Sequence, residues 1–150
     1  MRPELDMKLV RSFPKIFRDR HESPTKTAMC WGFMCGDGWY ALIYTLCSLI
    51  QEYIDKNNLS QVVAVEVKEK YGGLRFYTDY EDDVIGSYIW FAEEMSCRIC
   101  EVCGTTVNVK QRLLGRWIYT RCNKCWQKET RRKKSKNSCL NSKSKKRSKK

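Results

Sequence analysis

Hydrophobic and polar positions change their period along the chain, and each change predicts an element. Apolar residues recur at helical spacing over residues 6–20, where Pro14 is expected to bend or end the helix. A longer helix is predicted from Trp39 to Ile54, because apolar residues recur every three or four positions. Asp37 is expected to be its N-cap, since a short carboxylate can accept the first free N–H groups of a helix.

Between residues 61 and 80 the apolar positions alternate with polar or small ones. This period of two, interrupted by Gly72-Gly73, predicts a β-hairpin with a glycine turn and one apolar face. Helical spacing returns over residues 81–99, where three acidic residues stand at the positive end of the helix dipole. The alternating positions of the hairpin are Val63, Val65, Val67, Leu74, Phe76 and Thr78.

Four cysteines form two C-x2-C pairs, Cys100 with Cys103 and Cys122 with Cys125. Such pairs, separated by eighteen residues, are typical of tetrahedral Zn²⁺ bound by four thiolates. Four sulfurs fill the coordination shell, so a structural role is predicted for the zinc rather than a catalytic one. Turn, hairpin and helix in this order resemble a treble-clef zinc finger. Cys97 offers an alternative first pair with Cys100, but Gly104 after Cys103 favours Cys100 and Cys103.

These elements predict an α+β fold in which helices pack on a β-hairpin, followed by a treble-clef-like zinc finger and a disordered basic tail. The predicted division is a body over residues 1–99, a zinc-finger module over 100–129 and a Lys/Arg-rich tail over 130–150. The tail is predicted to be disordered beyond a few helical residues, because it has one Leu, no aromatic residue and dense like charge.

Nearly all of the formal net charge of +12 belongs to the C-terminus. Residues 126–150 contain twelve Lys or Arg and one acid, whereas residues 1–125 contain seventeen and sixteen. A cationic segment attracts phosphates independently of base sequence, so non-specific nucleic-acid binding is predicted, although an acidic membrane or protein would attract it equally. The expected first phosphate contacts are Lys124, Lys128, Arg131, Arg132, Lys133 and Lys134.

Two nuclease mechanisms can be considered from the sequence. His-Asn-His nucleases use treble clefs, but the chain has only His21, far from the finger in sequence. Glu66 and Lys68 match the E-x-K part of a metal-dependent nuclease, which also needs an upstream aspartate on an adjacent strand, and Asp55, at a helix end, is the nearest option. A solvated strand face explains Glu66 and Lys68 more simply, so the protein is interpreted as non-enzymatic and the nuclease is kept as a lesser alternative.

The remaining cysteines give weaker evidence for a metal site than the two C-x2-C pairs. Cys30, Cys35 and Cys47 could form a second metal site with His21, but their loose spacing favours packing. No role is predicted for Cys97 or Cys139. On the hairpin, Glu66, Lys68, Arg75 and Tyr77 form a candidate partner surface of mixed charge beside an aromatic ring.

The cellular setting is predicted from what the sequence lacks. The N-terminal residues do not form a signal peptide, and the longest apolar stretch, residues 39–50, is too short to span a bilayer. Paired cysteines then favour a reducing cytoplasm, that of the host if the protein is viral. The basic runs match nuclear import signals only if the host is eukaryotic.

Four segments together carry a resemblance to a known family: "WGFMCGDGWYALIYTLCSLIQ", "VEVKEKYGGLRFY", "CEVCG" and "GRWIYTRCNKC". Over residues 28–125 the chain resembles a family of small proteins of bacteriophages and bacteria that has no assigned activity. The resemblance implies a phage or bacterial setting and no mechanism. The resulting hypothesis is a phage-type accessory protein that binds nucleic acid or a nucleic-acid-associated complex. The alternative is an inhibitor or adaptor that binds a host factor through the hairpin face.

Overall fold

The computed structural model describes residues 1–132 of the chain. They contain four α-helices and two antiparallel β-hairpins, so the predicted combination of helices and small sheets is confirmed. The helices are α1 (Pro3–Ser12), α2 (Tyr40–Asn57), α3 (Asp83–Ser96) and α4 (residues 123–132). The strands are β1 (Ala64–Lys70), β2 (Gly73–Thr78), β3 (Val109–Leu114) and β4 (Trp117–Cys122), and short 3₁₀ helices span Ala28–Trp31 and Asp37–Trp39.

The first helix is shorter than the apolar spacing of residues 6–20 indicates. It ends at Ser12, before Pro14, and turns follow up to residue 22. A partly buried ion pair fixes this helix to the turns, because the Arg20 guanidinium lies 3.1 Å from the Asp6 carboxylate. The same carboxylate accepts the N–H of Phe33 at 3.1 Å and thereby fixes the next loop as well.

The long central helix is confirmed, but the N-cap prediction for Asp37 is wrong. A 3₁₀ turn beginning at Asp37 leads into α2, and Trp39 occupies the N-cap position without a capping side chain. The Asp37 carboxylate faces the N-terminal segment instead, where it accepts the N–H of Arg2 at 2.7 Å and pairs with the Arg2 guanidinium. Asn58, in the left-handed conformation at φ 51°, ends α2.

The hairpin of β1 and β2 is also confirmed, with two differences in register. Its turn is Tyr71-Gly72, at φ 53° and 79°, because Gly73 already belongs to β2 and pairs with Lys70. A bulge between Ala64 and Glu66 changes which side chains face inward. Ala64 is therefore buried and Val65 is only half-buried, contrary to the simple alternation.

Both edges of this hairpin are covered. Along β2, the N–H of Leu74 donates to the Ser96 hydroxyl at 2.8 Å and the N–H of Phe76 to the Glu93 carboxylate at 3.0 Å, so α3 covers this edge. Along β1, the N–H of Met34 donates to the Val67 carbonyl at 3.0 Å. The hairpin thus lies within the body, whose largest fully buried side chains include Trp39, Phe17, Phe76, Leu9, Ile16, Met29, Ile43, Ile50, Leu74 and Ile85.

Residues 100–132 form the second hairpin and α4, in the order predicted for the finger. The helix includes residues 130–132, the first three of the predicted tail. Residues 133–150 lie outside the described residues, as does the disorder predicted for them. The division of the chain at residues 99 and 129 stays a prediction.

Candidate metal centre and neighbouring surfaces

The first cysteine pair lies in a tight turn after α3. The Gly104 N–H donates to the Cys100 carbonyl at 2.8 Å, and Gly104 has a φ of +74°. A side chain at such a φ is strained, so a glycine after Cys103 suits this turn. The second pair lies where β4 passes into α4, with Cys122 ending the strand and Cys125 in the first helical turn.

The hairpin between the pairs brings all four thiols together. The Sγ atoms of Cys100, Cys103, Cys122 and Cys125 lie within 4.8 Å of one another, and those of Cys103 and Cys122 are 3.8 Å apart. A tetrahedral ion with metal–sulfur bonds of about 2.3 Å would place its sulfurs about 3.8 Å apart. Four thiols at this spacing could therefore hold a metal ion.

Protonation differs among these thiols. Burial raises the pKa of Cys122, but hydrogen bonds from the Cys125 N–H and from neighbouring thiols outweigh burial and lower it to about 7. Burial together with the thiol of Cys122 raises the pKa of Cys125 to about 12. The Cys122 sulfur, which accepts the Cys125 N–H at 3.4 Å, is thus the one most readily ionised of the two.

Cys97 lies outside the cluster, so the alternative pairing of Cys97 with Cys100 is not the one the structure brings together. Its sulfur accepts a hydrogen bond from the Gln111 side chain at 3.4 Å and donates to the Glu93 carbonyl at 3.9 Å. Cys97 therefore lies between α3 and β3, where it contributes to packing.

The cysteine turn packs directly on the loop that precedes α2, at two glycines. A Cβ at Gly38 would lie 2.5 Å from the Gly104 nitrogen and closer still to the Cys100 carbonyl oxygen. A Cβ at Gly36 would overlap the Glu101 carbonyl oxygen. In the sequence, two glycines shortly before a helix are typical of a turn, and their spacing does not predict this packing.

Glu101, between the two cysteines of the first pair, connects three segments. Its carboxylate accepts the Gly36 N–H at 3.1 Å and lies 3.5 Å from the Arg121 guanidinium on β4. Its backbone accepts the Gly38 N–H at 2.8 Å and donates to the Thr120 carbonyl at 3.1 Å. Burial is the main cause that raises the pKa of Glu101. The residue type and spacing of Glu101 in the sequence do not predict this role.

The helix after the cysteine cluster exposes cationic side chains to solvent. Lys124, Lys128 and Arg131 are exposed and follow an i, i+4, i+7 spacing, which places them on one face. Within residues 1–132 none of the three has an ion-pair partner, whereas Arg132 lies 3.5 Å from Glu129. Lys133 and Lys134, the other predicted phosphate contacts, lie outside the described residues.

An aromatic side chain attaches this helix to the hairpin. Trp126 of α4 lies 6.5 Å from Tyr119 of β4 between ring centroids, and the Arg112 guanidinium lies 5.5 Å from the Trp126 ring. The hairpin therefore fixes the direction in which α4 extends from the cysteine cluster.

The four residues of the candidate partner surface lie on one face of the first hairpin. Glu66 is opposite Tyr77 and Lys68 is opposite Arg75 in the strand register. Their charges are largely paired, since Lys68 lies 2.6 Å from Glu66 and Arg75 lies 3.3 Å from Glu93. The Lys68 ammonium also lies 5.8 Å from the centre of the Tyr77 ring.

The residues considered for a second metal site, Cys30, Cys35, Cys47 and His21, form no cluster in residues 1–132, where the four clustered cysteines are the one group of three or more potential metal ligands. Asp55, the further acid considered for a nuclease, pairs with Lys15 at 3.1 Å, and the nuclease alternative stays a prediction. His21 is exposed. Burial raises the pKa of Cys35 to about 12 and also that of Cys47, as expected for packed thiols.

Comparisons of the chain with models of protein families, with curated proteins and with solved structures found no match. The resemblance to a phage and bacterial family therefore stays a prediction. Among the helices of residues 1–132, none has the length and apolarity that a membrane crossing requires.

Proposed function

We propose that Cys100, Cys103, Cys122 and Cys125 bind one structural Zn²⁺ in a treble-clef-like finger. We further propose that the protein is a non-enzymatic accessory protein that binds nucleic acid without sequence preference. The observation that carries this proposal is the cationic face of Lys124, Lys128 and Arg131 on a helix that begins at the cysteine cluster. A host cytoplasm and a phage-type origin belong to the same proposal.

Zinc suits the cluster because all four donors are thiols whose sulfur atoms lie within 4.8 Å of one another. Bound zinc would fix β3, β4 and α4 relative to one another and leave no coordination position for water. Its contribution is therefore to position the cationic helix rather than to activate a reactant.

Phosphate binding is proposed because three cationic side chains on α4 have no ion-pair partner within the described residues. Lys124, Lys128 and Arg131 form no ion pair within the described residues, so they need not break one before contacting a phosphate. The chain continues from this helix into residues 133–150, which contain nine further Lys or Arg and no acid. Neutralised phosphates release counterions, which makes such binding strongly dependent on salt and independent of base sequence.

Fluorescence anisotropy with labelled duplex DNA and RNA at several salt concentrations tests this function. Replacing Lys124, Lys128 and Arg131 by alanine is expected to weaken binding and to reduce the salt slope by about 0.9 for each phosphate that is no longer neutralised. The matched control removes the same charge from Lys15, Lys26 and Lys56, which already pair with acids of the body. Equal effects on binding in the two triple variants would contradict a specific role for α4.

The hairpin face supports a second candidate function, an inhibitor or adaptor that binds a host protein. Met34, 40% exposed, pairs with Lys68 alongside Glu66, Arg75 and Tyr77, so the face combines apolar and charged groups. Replacing Glu66, Lys68 and Arg75 by alanine should then abolish capture of the partner and leave nucleic-acid binding intact. For the nuclease alternative, magnesium-dependent cleavage that survives Lys68→Ala would exclude Lys68 as a catalytic residue.

A further inference from the structure

A groove lies between the end of β2 and α3, and its lining includes no cysteine and no residue of α4. Its volume is about 610 Å³. The rings of Tyr77, Tyr80 and Trp90 line it, and Tyr80 and Trp90 are 61% and 65% exposed. Aromatic rings that stay this exposed offer their faces to a ligand, which a cation can contact favourably.

The groove also has an excess of negative charge. Arg75 and Glu93 balance each other at 3.3 Å. Asp79 and Glu81, which also line the groove, form no ion pair within residues 1–132. Carboxylates beside exposed aromatic rings favour a ligand that presents ammonium or guanidinium groups.

Gly86 lies inside α3 and lines the same groove. A Cβ at this position would meet only Glu81, at an ordinary contact distance of 3.8 Å, so packing does not require glycine here. Glycine inside a helix is less favourable than alanine, so its presence here calls for another reason. The missing side chain leaves space in the groove beside Glu81.

We propose that this groove binds the chain's own Lys/Arg-rich segment, residues 133–150. The segment contains nine Lys or Arg and no acid, which complements the carboxylates and the aromatic rings of the groove. Its eighteen residues can extend about 60 Å, whereas a domain of this size is about 35 Å across. The segment can therefore reach the groove, and its attachment keeps its local concentration high.

This inference rests in part on the proposed function, because the lysines that would occupy the groove are also candidate phosphate contacts. The groove and nucleic acid then compete for one segment. Occupation of the groove would weaken nucleic-acid binding, most strongly at low salt, where both interactions are strongest.

Cross-linking of the full-length chain tests the groove without nucleic acid. A carbodiimide joins a carboxylate to a lysine in direct contact, and mass spectrometry locates the pair. Asp79 and Glu81 are expected to be linked to lysines of residues 133–150, with a yield that does not change on dilution. Links that are spread evenly over exposed acids, or that disappear on dilution, would overturn the proposal.

Trp90→Ala should lower the yield of these links about two- to fivefold, as expected when one exposed cation–π interaction is removed. The matched control is Phe91→Ala, because Phe91 is similarly exposed at 61% on the same helix but does not line the groove. Gly86→Leu should act like Trp90→Ala by filling the groove while leaving the aromatic rings in place. Equal yields in all three variants would overturn the proposal.

Duplex binding by the full-length Trp90→Ala variant distinguishes a peptide from a nucleic acid in the groove. Release of the segment should tighten binding about two- to fivefold at low salt. Weaker binding would mean that the rings stack on bases and would overturn the proposal. If neither protein binds duplex, the proposed function fails, and the cross-links still decide whether the segment occupies the groove.

Discussion

The two hairpins within residues 1–132 have nearly the same length and different sources of stability. In β1 and β2, Val67, Leu74 and Phe76 are buried, and α3 covers one edge. In β3 no residue is buried, and in β4 only Thr120 and Cys122 are. The first hairpin is thus held by the apolar core, whereas the second depends on the cysteine cluster and on its contacts with the body.

This difference shows that strand pairing alone does not determine what stabilises a hairpin. An isolated two-stranded hairpin is marginal in water, so each pair needs support from elsewhere. Leu113 and Trp117, near the tip of the second hairpin, are 68% and 66% exposed, so they add little apolar burial. The second hairpin is therefore expected to lose its structure first when the cysteines are perturbed.

Removal of metal should give the largest difference in amide protection between the two hairpins. Structural zinc contributes on the order of 10 kcal/mol of binding free energy in small fingers. We expect a chelator, or Cys122→Ser, to abolish amide protection in β3, β4 and α4 while α2 and the first hairpin stay protected. Hydrogen exchange with mass spectrometry measures this difference, and Cys97→Ser is the control for a thiol outside the cluster. A uniform loss of protection across both hairpins would contradict the comparison.

Acidification should weaken metal binding in a stepwise manner. Cys125, with a pKa raised to about 12, keeps its proton throughout the range from pH 8 to 6 and must lose it to bind metal. Cys122 has a pKa of about 7, so it is ionised above this pH and protonated below it. The metal must therefore displace one more proton below pH 7 than above it.

We expect the slope of the logarithm of zinc affinity against pH to increase by about one as pH falls through 7, which is a further tenfold loss per pH unit. Competition with a chelator of known affinity, measured between pH 8 and 6, checks this slope. The first hairpin supplies the internal control, since its amide protection should be unchanged over the same range. A constant slope would show that Cys122 does not ionise before the other thiols.

Much of the fold could be predicted because its signals are local. The alternation around Leu74 and Phe76 predicts a strand. The two cysteine pairs predict a shared metal site, and this prediction does not depend on the structure of the residues between them. The bulge at Ala64 could not be predicted in this way, since it arises where β1 adjusts to β2 and shifts the buried face. Sequence position suggests a helix cap for Asp37 because the nearest N–H groups are helical, whereas its actual partner, Arg2, is 35 residues away.

The packing of the cysteine turn on the loop before α2 could not be predicted for the same reason. Gly38 and Cys100 are far apart in sequence, and a glycine beside a helix is already explained by a turn. The packing of Glu101 between Gly36 and Arg121, together with the close approach of Gly38 to Cys100, shows that the loop fits against the cysteine turn. Contacts of this kind depend on tertiary structure, so residue type and spacing do not predict them.

Gly38→Ala should have the smallest effect of these changes, and it tests whether the loop before α2 is coupled to the turn of the first cysteine pair. The added methyl group would overlap the backbone of Cys100 and Gly104, and neither can move away as a flexible side chain could. Overpacking of this kind costs about 1–3 kcal/mol. Because the strain acts on the turn of the first cysteine pair, we expect part of this cost to appear as weaker zinc binding and the rest as lower stability of the body.

Denaturant unfolding and zinc competition on the same variant separate these two parts. Gly86→Ala is the matched control, because its methyl group meets only Glu81 at 3.8 Å and the substitution should stabilise α3 by about 0.4–1 kcal/mol. If Gly38→Ala lowers stability without changing zinc affinity, the turn and the loop are in contact but not coupled. The stability of the second hairpin would then depend on the cysteines alone, and its packing against the body would contribute nothing to metal binding.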